Sequence, residues 1–275
     1  VEERCRGDAT QAEAVRAEFR AIIGDDLAAI IPGSAEAMRL KTALLAKGWW
    51  SQYLEVGVGP DAEIFTKCPA MASVGTGSKI GVHPVSAWSN PEPEAVMVVN
   101  GKGRIQGATL GNDVNLRDVE GRSALLLGRA KDNNASAALG PMIRLFDAGF
   151  TLEDVRRAEL SLSITGRDGF ALAESGAVGA ISRDPADVVA QMIGAHHQYP
   201  DGAVLYLGTP FSPAKDRGAP GMGFTHREGD QVRISSPRLG VLVNEVERTD
   251  ECPPWRYGIG ALFASLTCLL YTSPS

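Results

Sequence analysis

The segment Asn90–Glu94 (NPEPE) runs straight into AVMVV and then Asn100-Gly101, and no other stretch constrains the fold as much. An apolar, β-branched run closed by Asn-Gly predicts a β-hairpin. Residues two apart on a strand face the same way, so Glu92 and Glu94 present their carboxylates on one side. The return strand, Arg104 to Leu110, then delivers Asp113 beside Glu92. Three hard oxygen ligands at one point would repel one another without a cation. An all-carboxylate set suits Mg²⁺, with Mn²⁺ or Ca²⁺ as alternatives, better than zinc. The competing reading is two solvated carboxylates on an edge strand, which Pro91 and Pro93 suit. Lys131, Arg117 and Arg122 follow closely enough to give an acidic substrate cationic neighbours.

Elsewhere the first sixty residues read as helical. Apolar positions recur three to four apart over Ala9–Ile23, Pro32-Gly33 breaks the run, and Ser34 caps a second helix that stops near Gly48. Beyond Glu55 the pattern turns to short strands. Thr151–Asp154 has the form of a capping box for a brief helix, and Glu159–Thr165 with Phe170–Ala173 forms a hairpin. Asp184-Pro185 starts a helix that buries Val188, Val189, Met192 and Ile193 and runs on to Tyr199-Pro200. Ala203–Leu207 is a strand, and Gln231–Ser235 with Val241–Val246 is a closing hairpin. Helices inserted singly among strands predict an α+β fold with a mixed sheet, not βαβ alternation.

A chain of 275 residues with 44% hydrophobic residues can bury a large core. Its net charge of −6 argues against nucleic acid as a partner. The four cysteines are scattered without a C-x-x-C pair, which fits a reducing cytoplasm and neither a disulfide framework nor a zinc site. No run approaches the ~20 apolar residues of a membrane span.

Several strings together resemble the fumarylacetoacetate hydrolase superfamily: the Glu92-x-Glu94 pair, the Asn112–Asp118 run (NDVNLRD), Lys131, Leu139–Pro141 (LGP) and Gly208–Pro210 (GTP). Trp49–Val56, Gly59–Lys67 (GPDAEIFTK), Gly111–Leu127, Ala130–Ser136 (AKDNNAS) and His196–Gly202 (HHQYPDG) are closer to one branch, the 2-keto-3-deoxy-pentonate (xylonate/arabinonate) dehydratases. The likeness runs from about Val1 to Thr267. It implies a mixed β-roll of the superfamily's C-terminal type over 61–267, preceded by a helical segment at 1–60 that is the remainder of a longer N-terminal region. It also implies a homodimer. Cys268–Ser275 (CLLYTSPS) matches a translated sequencing adapter and is expected to be non-native.

Carried over residue by residue, the resemblance implies Glu92, Glu94 and Asp113 as metal ligands and Lys131 as the active-site base, its pKa lowered by a facing cation. Arg117, Gly208 and Thr209 are implied as substrate-binding residues. Arg117 reads equally as an ion-pair partner of Asp118, which anchors local structure, and Thr209 as a plain turn residue. Asn133, Asn134 and the loop Asp216–Phe224 are candidate hydroxyl-binding or lid elements.

The implied activity is Mg²⁺-dependent dehydration of a small anionic 2-oxo acid, a 2-keto-3-deoxy-pentonate, to 2-oxoglutarate semialdehyde. The alternative is C–C bond hydrolysis or decarboxylation of a β-diketo acid; a third reading is a non-catalytic relative whose metal only organises structure. Hydrolases of the superfamily activate water with a His-x-x-Glu dyad. Here His83 is followed at that spacing by Ser86, His196 by Tyr199, His197 by Pro200 and His226 by Gly229. His196 and His197 read instead as residues at a helix C-terminus.

Overall fold

A computed structural model of the protein describes residue 17, residues 30–218 and residues 220–272. The helix expected over Ala9–Ile23 lies outside them apart from Ala17. The chain divides into two compact units, Val1–Ile64 with Ala180–His197, and Phe65–Gly179 with Gln198–Ser275. Ala180–His197 groups with the first unit.

In the first unit, helix α1 (Ala35–Ala46) begins where Ser34 Oγ accepts the Ala37 amide at 3.2 Å. It buries Leu40 and Leu44 against Ile30, Trp49, Trp50, Leu54 and Val58. Gly48 follows the helix at φ +66°, the left-handed conformation that ends helices cheaply only at glycine. Helix α2 (Gln52–Val58) falls within the first sixty residues, expected to be helical; Ser51 caps it. The Arg183 guanidinium then gathers the carbonyls of Val56 in the last turn of that helix and of Gly59 and Asp61 just past it, at 2.7–3.0 Å. The helix Pro185–Met192 starts at Asp184 as expected but ends seven residues before Tyr199: Ile193 is already extended (φ −132°, ψ 125°) and Gly194 follows. His196 and His197 are therefore exposed residues beyond the helix, with no helix dipole to serve.

The second unit holds two main sheets. One has the order β1-β11-β10-β7-β8, formed by β1 (Lys79–Val82), β7 (Glu159–Thr165), β8 (Ala171–Ala177), β10 (Gln231–Ser236) and β11 (Gly240–Arg248). The other has the order β6-β4-β3-β9, from β3 (Pro93–Val99), β4 (Ile105–Asp113), β6 (Ala137–Leu145) and β9 (Ala203–Tyr206). A two-residue pair, β2 (Ser89–Asn90) with β5 (Asn115–Leu116), sits beside the end of β4. β1 pairs with β11 in parallel; the other main pairings are antiparallel, so the mixed α+β architecture expected from the pattern is the one observed.

The sheets pack on each other, β4 against β10 and β11, and β3 against β7. Alternate residues Leu160, Leu162 and Ile164 of β7 and Val232 and Ile234 of β10 turn inward and are fully buried, as a half-solvated sheet requires. β3, flanked by β4 and β9, is buried almost throughout, which accounts for its continuous apolar run. Its hairpin with β4 closes differently from the two-residue Asn-Gly turn. The loop spans Asn100–Arg104, the Asn100 side chain accepts the amides of Lys102 and Arg104, and the positive φ (+74°) falls on Gly103. Gly101 is required for another reason: a Cβ there would lie 2.2 Å from the Pro200 carbonyl oxygen.

Candidate functional site

The β3–β4 register places the acids. Glu94 lies opposite Gly111, and just before the strand the Asp113 amide donates to the Glu92 carbonyl at 3.0 Å. Cross-strand partners point to the same face, as do residues two apart, so Glu92, Glu94, Gly111 and Asp113 share one face. Pro93 is tolerated because it is the first residue of its strand. Gly111 keeps the face open: a Cβ there would meet the Tyr206 ring at 2.3 Å and Val96 Cγ2 at 2.6 Å. The result is that carboxylate oxygens of Glu92, Glu94 and Asp113 all lie within 4.8 Å of one another. Glu94 and Asp113 are buried and Glu92 is half-buried.

Lys131 closes the cluster. It is the last residue of a short helix (Leu127–Lys131) and is 4% exposed. Its ammonium reaches Glu92 Oε2 at 2.5 Å and Asp113 Oδ2 at 3.1 Å, above the Phe65 ring. Lys67, also buried, pairs with Asp113 Oδ1 at 2.8 Å. The Gly208 amide donates to Glu94 Oε2 at 2.7 Å, with Gly208 at φ +94°. Asn115 Nδ2 bridges Glu92 Oε1 at 3.0 Å and Glu120 Oε2 at 2.8 Å.

Charge follows from this geometry. Burial, reinforced by Asp113 and Glu92, holds the Glu94 carboxyl well above the ordinary carboxylate range. Burial also raises Glu92, against the pull of Lys131. Burial works to raise Asp113 too, but Lys67 and Lys131 override it and leave that carboxyl low. For Lys131, burial favours the neutral amine, yet Glu92 and Asp113 outweigh it and hold the ammonium above the ordinary lysine range. The lysine is thus held as an ammonium while it pairs directly with the carboxylates.

The other expected residues are placed as follows. Thr209 Oγ1 donates toward the carbonyls of Pro93 (3.1 Å) and Phe211 (2.6 Å), tying the Gly208–Pro210 turn to the start of β3. The Arg117 guanidinium lies over the Trp88 ring, 5.2 Å from its centroid, and makes no ion pair with Asp118 or the three acids. Asp118 accepts from Ser86 Oγ at 2.5 Å and the Ala87 amide at 2.9 Å, an anchoring role. Asn133 Nδ2 donates to the Arg129 carbonyl and Asn134 Nδ2 to the Thr249 carbonyl, so neither amide is turned to the acids. The Asp216–Phe224 loop is pinned by Arg217, which pairs with Asp230 and Asp168. A cavity of about 380 Å³ bounded by Val82, His83, Ser86 and Ser89 contains none of the three carboxylates.

Lys67, Asn115, Glu120 and Tyr206 were not singled out in the sequence. Lys67 ends the string GPDAEIFTK, but nothing local separates it from a surface lysine, since its partners are 46 to 69 positions away.

The donor set fits a hard divalent cation. Three carboxylates converge on one point, and burial, reinforced by Asp113 and Glu92, holds the Glu94 carboxyl above its range.

A β-roll with this acid cluster defines a class of protein before it defines a member of it. The fumarylacetoacetate (FAA) hydrolase C-terminal family profile matches residues 60–247, and the chain belongs to that family. Within it, the chain is 31% identical over 194 residues to the probable 2-keto-3-deoxyxylonate dehydratase of Haloferax volcanii, covering 70% of this chain and 63% of that protein. It is 30% identical over 186 residues to the 2-dehydro-3-deoxy-D-arabinonate dehydratase of Saccharolobus solfataricus, covering 68% and 59%. The chain therefore spans about 60% of the length of these relatives. The structure of 2-keto-3-deoxy-D-arabinonate dehydratase complexed with magnesium and 2,5-dioxopentanoate superposes with a TM-score of 0.62 at 27% identity, covering 72% of this chain and 66% of that one. Among the described residues no helix is long and apolar enough to cross a membrane.

Proposed function

We propose that this protein is a Mg²⁺-dependent hydro-lyase acting on a 2-keto-3-deoxy-pentonate. The observation that carries the reading is the convergence of Glu92, Glu94 and Asp113 on one point with Lys131 beside them. Both curated relatives bear dehydratase names, which supports the same reading.

Glu92, Glu94 and Asp113 would hold the cation. Bound there, it supplies Lewis acidity toward the 2-oxo group, which acidifies the adjacent C3–H. Lys131 is the proposed base. Its ammonium is held by Glu92 and Asp113, and once those carboxylates are engaged elsewhere the lysine loses the partners that keep it protonated. Lys131 then takes the C3 proton and the C4 hydroxyl departs as water with a proton returned to it. Tautomerisation of the C5-hydroxy enone left behind gives the 2,5-dioxo acid. Gly208 holds Glu94 by its amide, and Thr209 holds the turn that carries Gly208. A substrate carboxylate would find Arg117 on Trp88, at the N-terminus of the turn of helix that carries Glu120.

The test is product analysis with Mg²⁺ and 2-keto-3-deoxy-D-xylonate or -arabinonate, and in parallel an acylpyruvate. A 2,5-dioxo acid from the pentonate alone is expected. Cleavage of the acylpyruvate, with the pentonate untouched, would replace this reading with the C–C hydrolase one.

Stability should report the site independently of turnover. Glu94 has a raised carboxyl pKa in the folded protein. The metal-free fold is therefore favoured below the ordinary carboxylate range and loses that advantage as pH rises through the elevated value. Mg²⁺ competes with that proton, so the increase in Tm on adding Mg²⁺ should be larger at pH 8 than at pH 5. An equal increase at both, measured by thermal melts, would count against Glu94 as a ligand.

A further inference from the structure

We propose that Lys67 is a positioning residue for both halves of this site, the Asp113 carboxylate and the Lys131 backbone; the proposal rests on the metal-dependent reading above. Lys67 is 8% exposed. Its ammonium donates to the carbonyl of Val114 at 2.9 Å and to the carbonyl of Lys131 itself, and lies 2.8 Å from Asp113 Oδ1. Ser136 Oγ, 3.4 Å from Lys67 Nζ, donates to the same Lys131 carbonyl at 2.9 Å and accepts the Asn133 amide at 3.0 Å. One cation therefore joins the end of β4 to the end of the helix that carries Lys131.

The charge matters beyond the stapling. Two carbonyls could be joined by a neutral amide, whereas a buried ammonium is costly to desolvate unless an anion faces it. Asp113 Oδ1 is that anion. With Oδ1 engaged by Lys67, Oδ2 is the oxygen turned toward Lys131 and Glu92. Lys67 thus selects the oxygen that Asp113 offers to the site and sets where the Lys131 side chain starts.

Simple electrostatics and positioning give opposite signs, which makes the proposal testable. As a bare charge, Lys67 repels a divalent cation, and its removal would tighten binding. As a positioning residue, its removal frees the Asp113 carboxylate to rotate and lets the Lys131 turn drift. In Lys67→Met, Mn²⁺ binding followed by electron paramagnetic resonance should weaken about 10–100-fold, the usual effect of losing a group that orients a metal ligand. Turnover of the Mg²⁺-loaded enzyme should fall through kcat more than KM. Lys67→Gln, which keeps a donor for the carbonyls, is the milder variant to use if Lys67→Met does not fold, and the same direction is expected. Mn²⁺ affinity that is unchanged or tighter in folded variant protein overturns the proposal. If the parent protein itself binds no Mn²⁺, it is the metal-dependent reading that fails, so the two failures are distinguishable.

Discussion

Glu94→Gln is expected to eliminate divalent-cation binding and turnover together while leaving the metal-free protein as stable as the parent or more so at pH 8. Glu94 is 2% exposed, and its carboxylate is opposed by burial, by Asp113 and by Glu92, in that order. A carboxyl whose pKa is raised on folding penalises the fold once it ionises, so an uncharged isostere removes that penalty. The Gly208 amide keeps an acceptor in the Gln carbonyl. The cation, however, loses one of three anionic donors, and the Lewis acidity goes with it. Activity should fall at least about 10²–10³-fold, the scale on which loss of a transition-state electrostatic contact is felt. Calorimetry with Mg²⁺, thermal melts and product formation check the three outcomes separately. Retained Mg²⁺ binding with lost activity would move Glu94 out of the metal site.

Lys131→Ala should do the reverse, keeping the cation and losing the chemistry. Three carboxylates remain to satisfy the ion, and removing a neighbouring ammonium lowers the repulsion it meets. Cation affinity should therefore be maintained or improved. Turnover should drop about 10²–10⁴-fold, the usual contribution of a positioned acid–base group. The metal-free variant should also melt earlier, because breaking a buried ion pair costs about 3–5 kcal/mol, and Mg²⁺ should restore much of the loss. Parent-like activity would remove Lys131 from the mechanism and leave Arg117 as the next group to test.

Much of the second unit was legible in the chain. Period-two patterns gave β7, β10 and β11 to within a few residues, because each strand buries one face and wets the other. The capping box at Thr151 and Asp154 and the caps at Ser34 and Asp184 are local hydrogen bonds, which is why short motifs foretold them. The errors share a different cause. The hairpin loop is longer than Asn100-Gly101 suggests because Gly101 answers to the Pro200 backbone, a hundred residues away. The Pro185–Met192 helix stops early although apolar spacing continues through Ile193.

The site divides along the same line. Sequence by itself determined that Glu92 and Glu94 share a face and that the hairpin returns Asp113 beside them, since strand geometry fixes both. The chain also carries the family's motif string, and with it the identity of Lys131 as a residue of interest. Only the tertiary structure decided the electrostatics. It made Glu94 the reluctant acid, kept Asp113 ionised, and held Lys131 as an ammonium between two carboxylates. It also placed Arg117 on Trp88 and brought Lys67 in from far along the chain. A side chain's protonation depends on burial and on charges a few ångströms away, and those neighbours belong to the fold rather than to any window of sequence.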